Sequence, residues 1–457
     1  MLTGQLPLTH GVADNGIDLR PQTGERSFAT ALGNNGYQTA FLGKAHFSTS
    51  HTFAATGSPE CRNSGDKFDA DWYGPYMGFE HVELMVLGHW FKEHGPNLPP
   101  AGKHYERWAF ERAGTPEIFE QWACETRPGS GAAQTWHSAL PQVFHSSSWC
   151  GDSAVNYIRD RDPEQPFCAW VSFPDPHHPF DCPEPWSLLH HPDEVDLPIE
   201  GELDLDRRPW WHRASLESTP DLADPELRNF RAKLSRTPQQ NEVQLREMTA
   251  NYYGMISLID HNVGRILAEL DTQGIADNTI VIYSTDHGDL LGDHGLYLKG
   301  PTPYEALLRV AMIARGPGIP AGTVINDPVS TVDVPATLCD YGGAELDDIA
   351  QSKSLRPLLE ARSNGSGRDV AYSEWNVNAS RCGVPLALRT VRTEASKLTI
   401  ELNSGAGELY NLANDPNEME NLFQEGDASP MQRELEDMIR ARPGKVLSTF
   451  DDPVGMA

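Results

Sequence analysis

The chain has 457 residues, 39% of them hydrophobic, with 35 Pro and 39 Gly scattered along its length, an ordinary globular composition with material for a large core and two or three domains. Its 65 Asp and Glu against 36 Lys and Arg give a net charge of -29. That balance excludes a general affinity for nucleic acid or anionic membrane and leaves room only for a local cationic pocket.

Residues 1–10 have neither the basic start nor the apolar run of a signal peptide. No stretch approaches the roughly 18 to 20 apolar residues that span a bilayer. Residues 27–33 predict a short helix, and residues 36–43 a turn leading into a buried strand. Residues 61–135 are rich in Trp, Tyr, Gly and Pro and lack periodicity. They are expected to fold over a site and shape its pocket with Trp72, Tyr73, Tyr76 and Trp90, although an irregular surface excursion is equally compatible. A strand follows at 166–173.

Residues 239–273 place Tyr252, Met255, Ile259, Val263, Ile266 and Leu270 at helical spacing, and Gly274 supplies the stop. The run at 278–284 reads as a strand buried on both faces of a parallel sheet. Residues 306–309 and 310–314 repeat helix then strand. The fold class is therefore α/β, a mostly parallel sheet flanked by helices, with ligands at the carboxyl ends of its strands. Beyond residue 354 the pattern changes to antiparallel strands at 386–393 and 397–402 and a helix at 430–442, a smaller α+β region. The expected domains are 1–353 and 354–457. The seven cysteines (61, 124, 150, 168, 182, 339 and 382) are odd in number and contain no CxxC pair, which suits reduced, mostly buried thiols in a cytoplasmic protein.

Three segments at predicted strand ends carry chemistry. In the segment 283–289, Asp286 and His287 offer a carboxylate and an imidazole to a divalent cation, and Gly288 allows a sharp turn. Lys299 follows a short loop later, suited to neutralising a bound oxyanion, while Asp289 and His294 read as groups that close the loop. In the segment 43–46, Lys44 and His46 fall on one side of an extended stretch, either as anion-binding cations or with a neutral His46 hydrogen-bonding a nucleophile's hydroxyl. In the segment 173–180, prolines stiffen a loop in which His177 is the candidate general acid and His178 is expected to point away. By residue type alone each segment is also compatible with an ordinary turn.

Taken in order, TGQLPLTHGV (3–12), GYQTAFLGKAHF (36–47), DPHHPF (175–180), STDHGDLLGDHGLYLKG (284–300), RTEASKLTI (392–400) and ELYNLANDPNEMENL (408–422) resemble a bacterial sulfatase of the alkaline phosphatase superfamily over almost the whole chain. In that family a formylglycine, made from Cys or Ser in a C/S-x-P-x-R motif, attacks sulfur as its hydrate while a divalent ion holds the sulfate. The resemblance implies that Asp286 and His287 are metal ligands and that Lys44 and Lys299 grip the sulfate. It makes His46 the partner of the nucleophile's hydroxyl and His177 the acid for the leaving group. Asn15 falls where related phosphonate monoester hydrolases place a substrate-contacting Asn. The implied metal is calcium, with manganese as the alternative, and the implied partner is a small sulfate ester.

The chain departs from the family at the nucleophile. None of the seven cysteines lies in a C-x-P-x-R context, and Leu2-Thr3-Gly4 matches the end of the helix that follows that motif in the family. The expectation is an N-terminally truncated sulfatase without the first strand, its acidic metal ligands and the nucleophile, inactive by itself, with unpaired strand edges and weak metal binding. The alternatives are a phosphonate monoester or phosphodiester hydrolase, or a non-catalytic anion-binding protein. Lys44 and His46 favour sulfate, because the related phosphonate hydrolases tend to carry hydroxyl side chains there.

Overall fold

The computed structural model describes residues 1–86, 88, 104–114, 117–199, 202–234, 236–362, 365 and 368–455. Helix α1 (Phe28–Asn34) starts where the Ser27 hydroxyl accepts the Thr30 N–H, 3.0 Å away. It turns the chain into strand β1 (Gln38–Lys44), which lies between β2 (His81–Met85) and β3 (Phe167–Ser172), all parallel. Ala40, Phe41 and Leu42 are at most 1% exposed, and a strand covered on both faces needs the unbroken apolar run it has.

Successive residues of β3 serve opposite faces of this sheet. Cys168 and Trp170 join Phe28, Phe41, Phe47 and Phe79 on one side, where the Trp170 ring lies 5.4 to 6.3 Å from those of Phe41 and Phe79. Val171 on the other side packs with Met85, Trp149 and Cys150, under helix α2 (Ser146–Asp160). Helix α3 (Glu242–Thr272) is laid along α2. At Gly151 a Cβ would sit 2.2 Å from Asn262 Oδ1, so the two backbones approach where the side chain is smallest.

Three sequence expectations need correction. Strand β4 (Val281–Ser284) pairs antiparallel with β5 (Met312–Arg315), not parallel. Between them lie loops and one turn of helix, Glu305–Leu308, and a parallel return needs a crossover that carries the chain back along the sheet. Second, β4 is half-buried throughout, not covered on both faces. Among the described residues β3 and β4 each pair with a single strand, and both line a cavity of about 1600 Å³. Third, residues 61–135 supply edge strand β2 and the helices His104–Ala113 and Glu117–Trp122. Trp72, Tyr73 and Tyr76 do not line the cavity. Tyr73 stacks on His81, Tyr76 bonds Glu60, and Trp90 lies outside the described residues.

The C-terminal part is an antiparallel sheet in the order β6 (Ala371–Val377), β7 (Leu386–Arg392), β8 (Ser396–Glu401), β9 (Gly407–Asn411). Helix α4 (Pro430–Arg440) covers one face through Met431, Leu435 and Met438. The N-terminal segment crosses β6: the Leu8 N–H donates to Glu374 (2.8 Å), and the Asn376 N–H to the Ala13 carbonyl (3.2 Å). The fold is thus α/β, a parallel sheet between helices with a small antiparallel C-terminal sheet. All seven cysteines are free, and among the described residues no helix is long and apolar enough to cross a membrane.

Candidate functional site

Lys44 stands at the carboxyl end of β1, where the Ser172 hydroxyl donates to its carbonyl (2.7 Å). Gly43 makes this possible. Its φ is +121°, and a Cβ there would lie 2.0 Å from the Ser172 carbonyl oxygen. The extended geometry stops at Lys44, and His46 has a left-handed φ of 54°. A turn, and not the alternation of a strand, therefore brings Lys44 and His46 to the same cavity, a correction to the sequence expectation. Beneath this turn Glu60 Oε1 accepts the N–H groups of Phe47 (3.0 Å) and Ser48 (3.1 Å) and the Tyr76 hydroxyl (2.7 Å). Burial raises the Glu60 carboxyl to about 7.

Asp286 and His287 follow β4. The His287 Nδ1–H donates to the Gly288 carbonyl (2.7 Å), which leaves the Nε2 lone pair to accept from Lys299 Nζ (3.0 Å), with an Asp286 oxygen 3.5 Å away. Gly288 serves close approach: a Cβ would meet the Ala306 carbonyl at 1.8 Å. The loop to Lys299 is closed by Leu290 N–H to Leu298 O (3.0 Å) and by Asp289 accepting the Leu291 N–H (3.2 Å). Leu291, His294 and Leu298 hold left-handed backbone at φ 45°, 53° and 60°, strain that the surroundings must enforce. Arg208 supplies part of that, donating Nη2 to His294 Nδ1 (2.9 Å) while the His294 ring stacks on Tyr304 at 4.1 Å.

The third loop is tied down at Asp175, which accepts the Ser147 hydroxyl (2.6 Å). His177 donates from Nδ1 to the His178 carbonyl (2.6 Å), and the two rings stack at 4.1 Å. Both line the cavity, so His178 does not point away as expected. The stacking carries the two rings together.

Asn15, Lys44, His46, His177, Asp286, His287 and Lys299 all line this one cavity. Burial and the neighbouring Lys44 lower the Lys299 ammonium to about 7, against the pull of Asp286 and Asp289. Burial lowers Lys44 too. Burial lowers the His46 imidazole to about 3, and Lys44 and Lys299 push the same way, so the ring is neutral. Burial alone would raise Asp286; His287, Lys299 and Lys44 outweigh it and keep the carboxylate ionised. The site is a cationic pocket in an acidic chain.

The donor set fits a divalent cation in kind but not in number. The Nδ1–H bond to a carbonyl fixes His287 Nε2 as a lone-pair donor beside a carboxylate, the usual arrangement of a metal-binding imidazole. Among the described residues no third His, Cys, Asp or Glu converges with them, and an oxygen-seeking ion such as calcium takes about six to eight ligands. Other residues at the cavity had no motif to mark them. Glu60, Arg231 and Arg381 reach it only through the tertiary fold, and Asp14 accepts the Arg381 Nε–H from behind (2.9 Å).

The family model described as Sulfatase matches residues 1–344. The chain belongs to the sulfatase family. A second model, N-sulphoglucosamine sulphohydrolase, C-terminal, matches residues 292–443. This sulfatase-family chain is 28% identical over 286 residues to an arylsulfatase of Clostridium perfringens, covering 61% of this chain and 54% of that protein. It is 25% identical over 433 residues to a choline-sulfatase of Rhizobium meliloti, covering 93% and 72%. The chain thus spans little more than half the length of the first of these curated relatives. Among solved structures, the phosphonate monoester hydrolase of Agrobacterium radiobacter superposes with a TM-score of 0.70 at 22% identity, covering 96% of this chain and 84% of that one. That likeness concerns the fold.

Proposed function

We propose that the cavity is the sulfate-monoester site of a hydrolase, with a small sulfate ester as substrate. The observation that carries this is the convergence of two enclosed ammonium groups, Lys44 and Lys299, on a cavity that also presents His46, His177, Asp286 and His287. Two ammonium groups beside neutral imidazoles suit a tetrahedral oxyanion whose charge must be neutralised. In this reading Lys44 and Lys299 hold the non-bridging oxygens, the neutral His46 is placed as the hydrogen-bond partner of a nucleophile's hydroxyl, and His177 as the acid for the leaving oxygen.

Asp286 and His287 are the proposed ligands of a divalent ion, calcium or alternatively manganese, which when bound would add positive charge beside the sulfate oxygens. The 457 residues hold no cysteine in a C-x-P-x-R motif. We therefore expect the chain by itself to bind sulfate esters without turning them over, and the domains to divide near residue 353.

The test is calorimetric binding of inorganic sulfate and 4-nitrophenyl sulfate. Lys44→Met and Lys299→Met should each weaken binding by roughly 10- to 100-fold, the loss of one charge-assisted hydrogen bond. Unchanged affinity in both variants refutes the sulfate site. Asn15 at the cavity favours the second reading, a phosphonate monoester or phosphodiester hydrolase, which tighter binding of bis(4-nitrophenyl) phosphate than of the sulfate ester would support.

A further inference from the structure

We propose that residues 447–455 are a positioning strap for the sulfate site: docked, they hold the cavity wall that carries Asn15 against the wall that carries His46 and His51. The proposal rests on the sulfate site above and adds the element that sets its shape.

The strap is anchored at both ends. At the first, the Leu447 N–H donates to the Leu8 carbonyl (2.9 Å), and Phe450 packs on the cluster of Leu8, Ala13 and Ile17. Those three residues are at most 8% exposed, so Phe450 covers an apolar patch that would otherwise meet water. At the second, the Val454 N–H donates to the Gly16 carbonyl (2.7 Å), and the Val454 carbonyl accepts the Phe53 N–H (2.9 Å). Thr52 and Gly455 pair as an antiparallel bridge. The strap is thus the middle one of three chain segments, with a backbone hydrogen bond on either side.

Two glycines allow that fit. Gly16 has a φ of +91°, and a Cβ there would lie 2.7 Å from the Gly455 carbonyl oxygen. A Cβ on Gly455 would lie 2.2 Å from the His51 carbonyl oxygen. Both approaches are closer than a side chain permits. Arg20 and Asp451 also meet at 2.8 Å, but their side chains are 68% and 55% exposed, so this ion pair contributes little. The anchoring lies in the backbone contacts and in Phe450.

The segments that the strap joins are walls of the cavity. Asn15 precedes Gly16 and His51 precedes Thr52, and both line the cavity with His46. Deeper in, the Leu19 N–H donates to the Phe47 carbonyl (2.9 Å) and the Thr49 N–H to Asp18 (2.7 Å), which ties the same segments directly. Those bonds fix the inner end beside His46. The strap fixes the outer end, where Asn15 is exposed. A ligand held between the walls meets groups whose spacing is set before it arrives.

The experiment uses the full chain labelled with carbon-13 at the histidine Cε1 positions, the His46 and His51 NMR signals being assigned by substitution. Gly455→Ala drives a Cβ into the His51 carbonyl, and Phe450→Ser removes the apolar anchor. Each should shift both signals and weaken calorimetric binding of 4-nitrophenyl sulfate about tenfold, the scale of one misplaced hydrogen bond to a charged oxygen. Phe450→Leu keeps an apolar anchor and should bind within about twofold of the wild type. A merely structural strap would lower the melting temperature and leave signals and affinity alone. The proposal is overturned if both variants leave the two signals in place. It is overturned too if the signals move while the affinity stays within about twofold. If the wild type does not bind 4-nitrophenyl sulfate but the variants shift both signals, the sulfate site fails and the strap stands as the element that positions the cavity walls.

Discussion

Replacing Glu408 by Gln tests how the C-terminal sheet holds the Lys299 loop. Glu408 is 2% exposed; it accepts the Tyr410 hydroxyl (2.8 Å) and lies 3.2 Å from His212 Nε2. Burial alone would push its carboxyl up. His212, the Tyr410 hydroxyl and Arg208 outweigh burial and hold it at about 2 instead of 4.5. A depression of that size corresponds to roughly 3 kcal/mol of folding stability, at about 1.4 kcal/mol per unit. The sign is that of a depressed acid: the contribution is complete above the unfolded value of 4.5 and disappears as the pH falls through about 2. Glu408→Gln should therefore cost roughly 3 kcal/mol at pH 7 and less than half of that at pH 3. Urea unfolding of both proteins at pH 7, 5 and 3 measures it. Because Arg208 belongs to this network and also holds His294, the variant should loosen the loop that ends at Lys299 and weaken sulfate binding. A cost below about 1 kcal/mol, or one independent of pH, refutes the reasoning.

Other perturbations follow from the same geometry. Gly43→Ala puts a Cβ into the Ser172 carbonyl and should lower stability by about 2 kcal/mol or more and impair sulfate binding by moving Lys44; an unchanged melting temperature would deny the close approach. Glu60, a raised acid, makes the wild type lose stability as the pH rises from 4.5 through about 7. Glu60→Gln lacks that titration, so by urea unfolding it should be no weaker at pH 5 and about 2 to 3 kcal/mol more stable at pH 8. For metal, melting curves with 5 mM calcium against chelator should differ by less than about 0.5 kcal/mol, because Asp286 and His287 are only two donors. Micromolar calcium binding would show that further ligands converge.

Much of the architecture is legible from local pattern. Helices α1 and α3, strands β1, β3, β7 and β8, and the loop residues Lys44, His46, His177, Asp286, His287 and Lys299 follow from periodicity, from Gly and Ser at element ends, and from charged groups placed where apolar runs stop. These signals act within a few residues, so a linear reading contains them. The reversal of β4 against β5, the edge strand inside the region 61–135, and the buttress of Glu60 do not. Strand direction depends on what the connection does in space, and residues 286–311 carry no crossover helix. Arg381 and Asp14 meet across a separation of 367 residues. Their pairing exists only because the N-terminal segment crosses β6. The sequence determined which groups are available and where each local element begins. Tertiary packing decided which of them lose their water together, and desolvation makes a set of charges into a binding site.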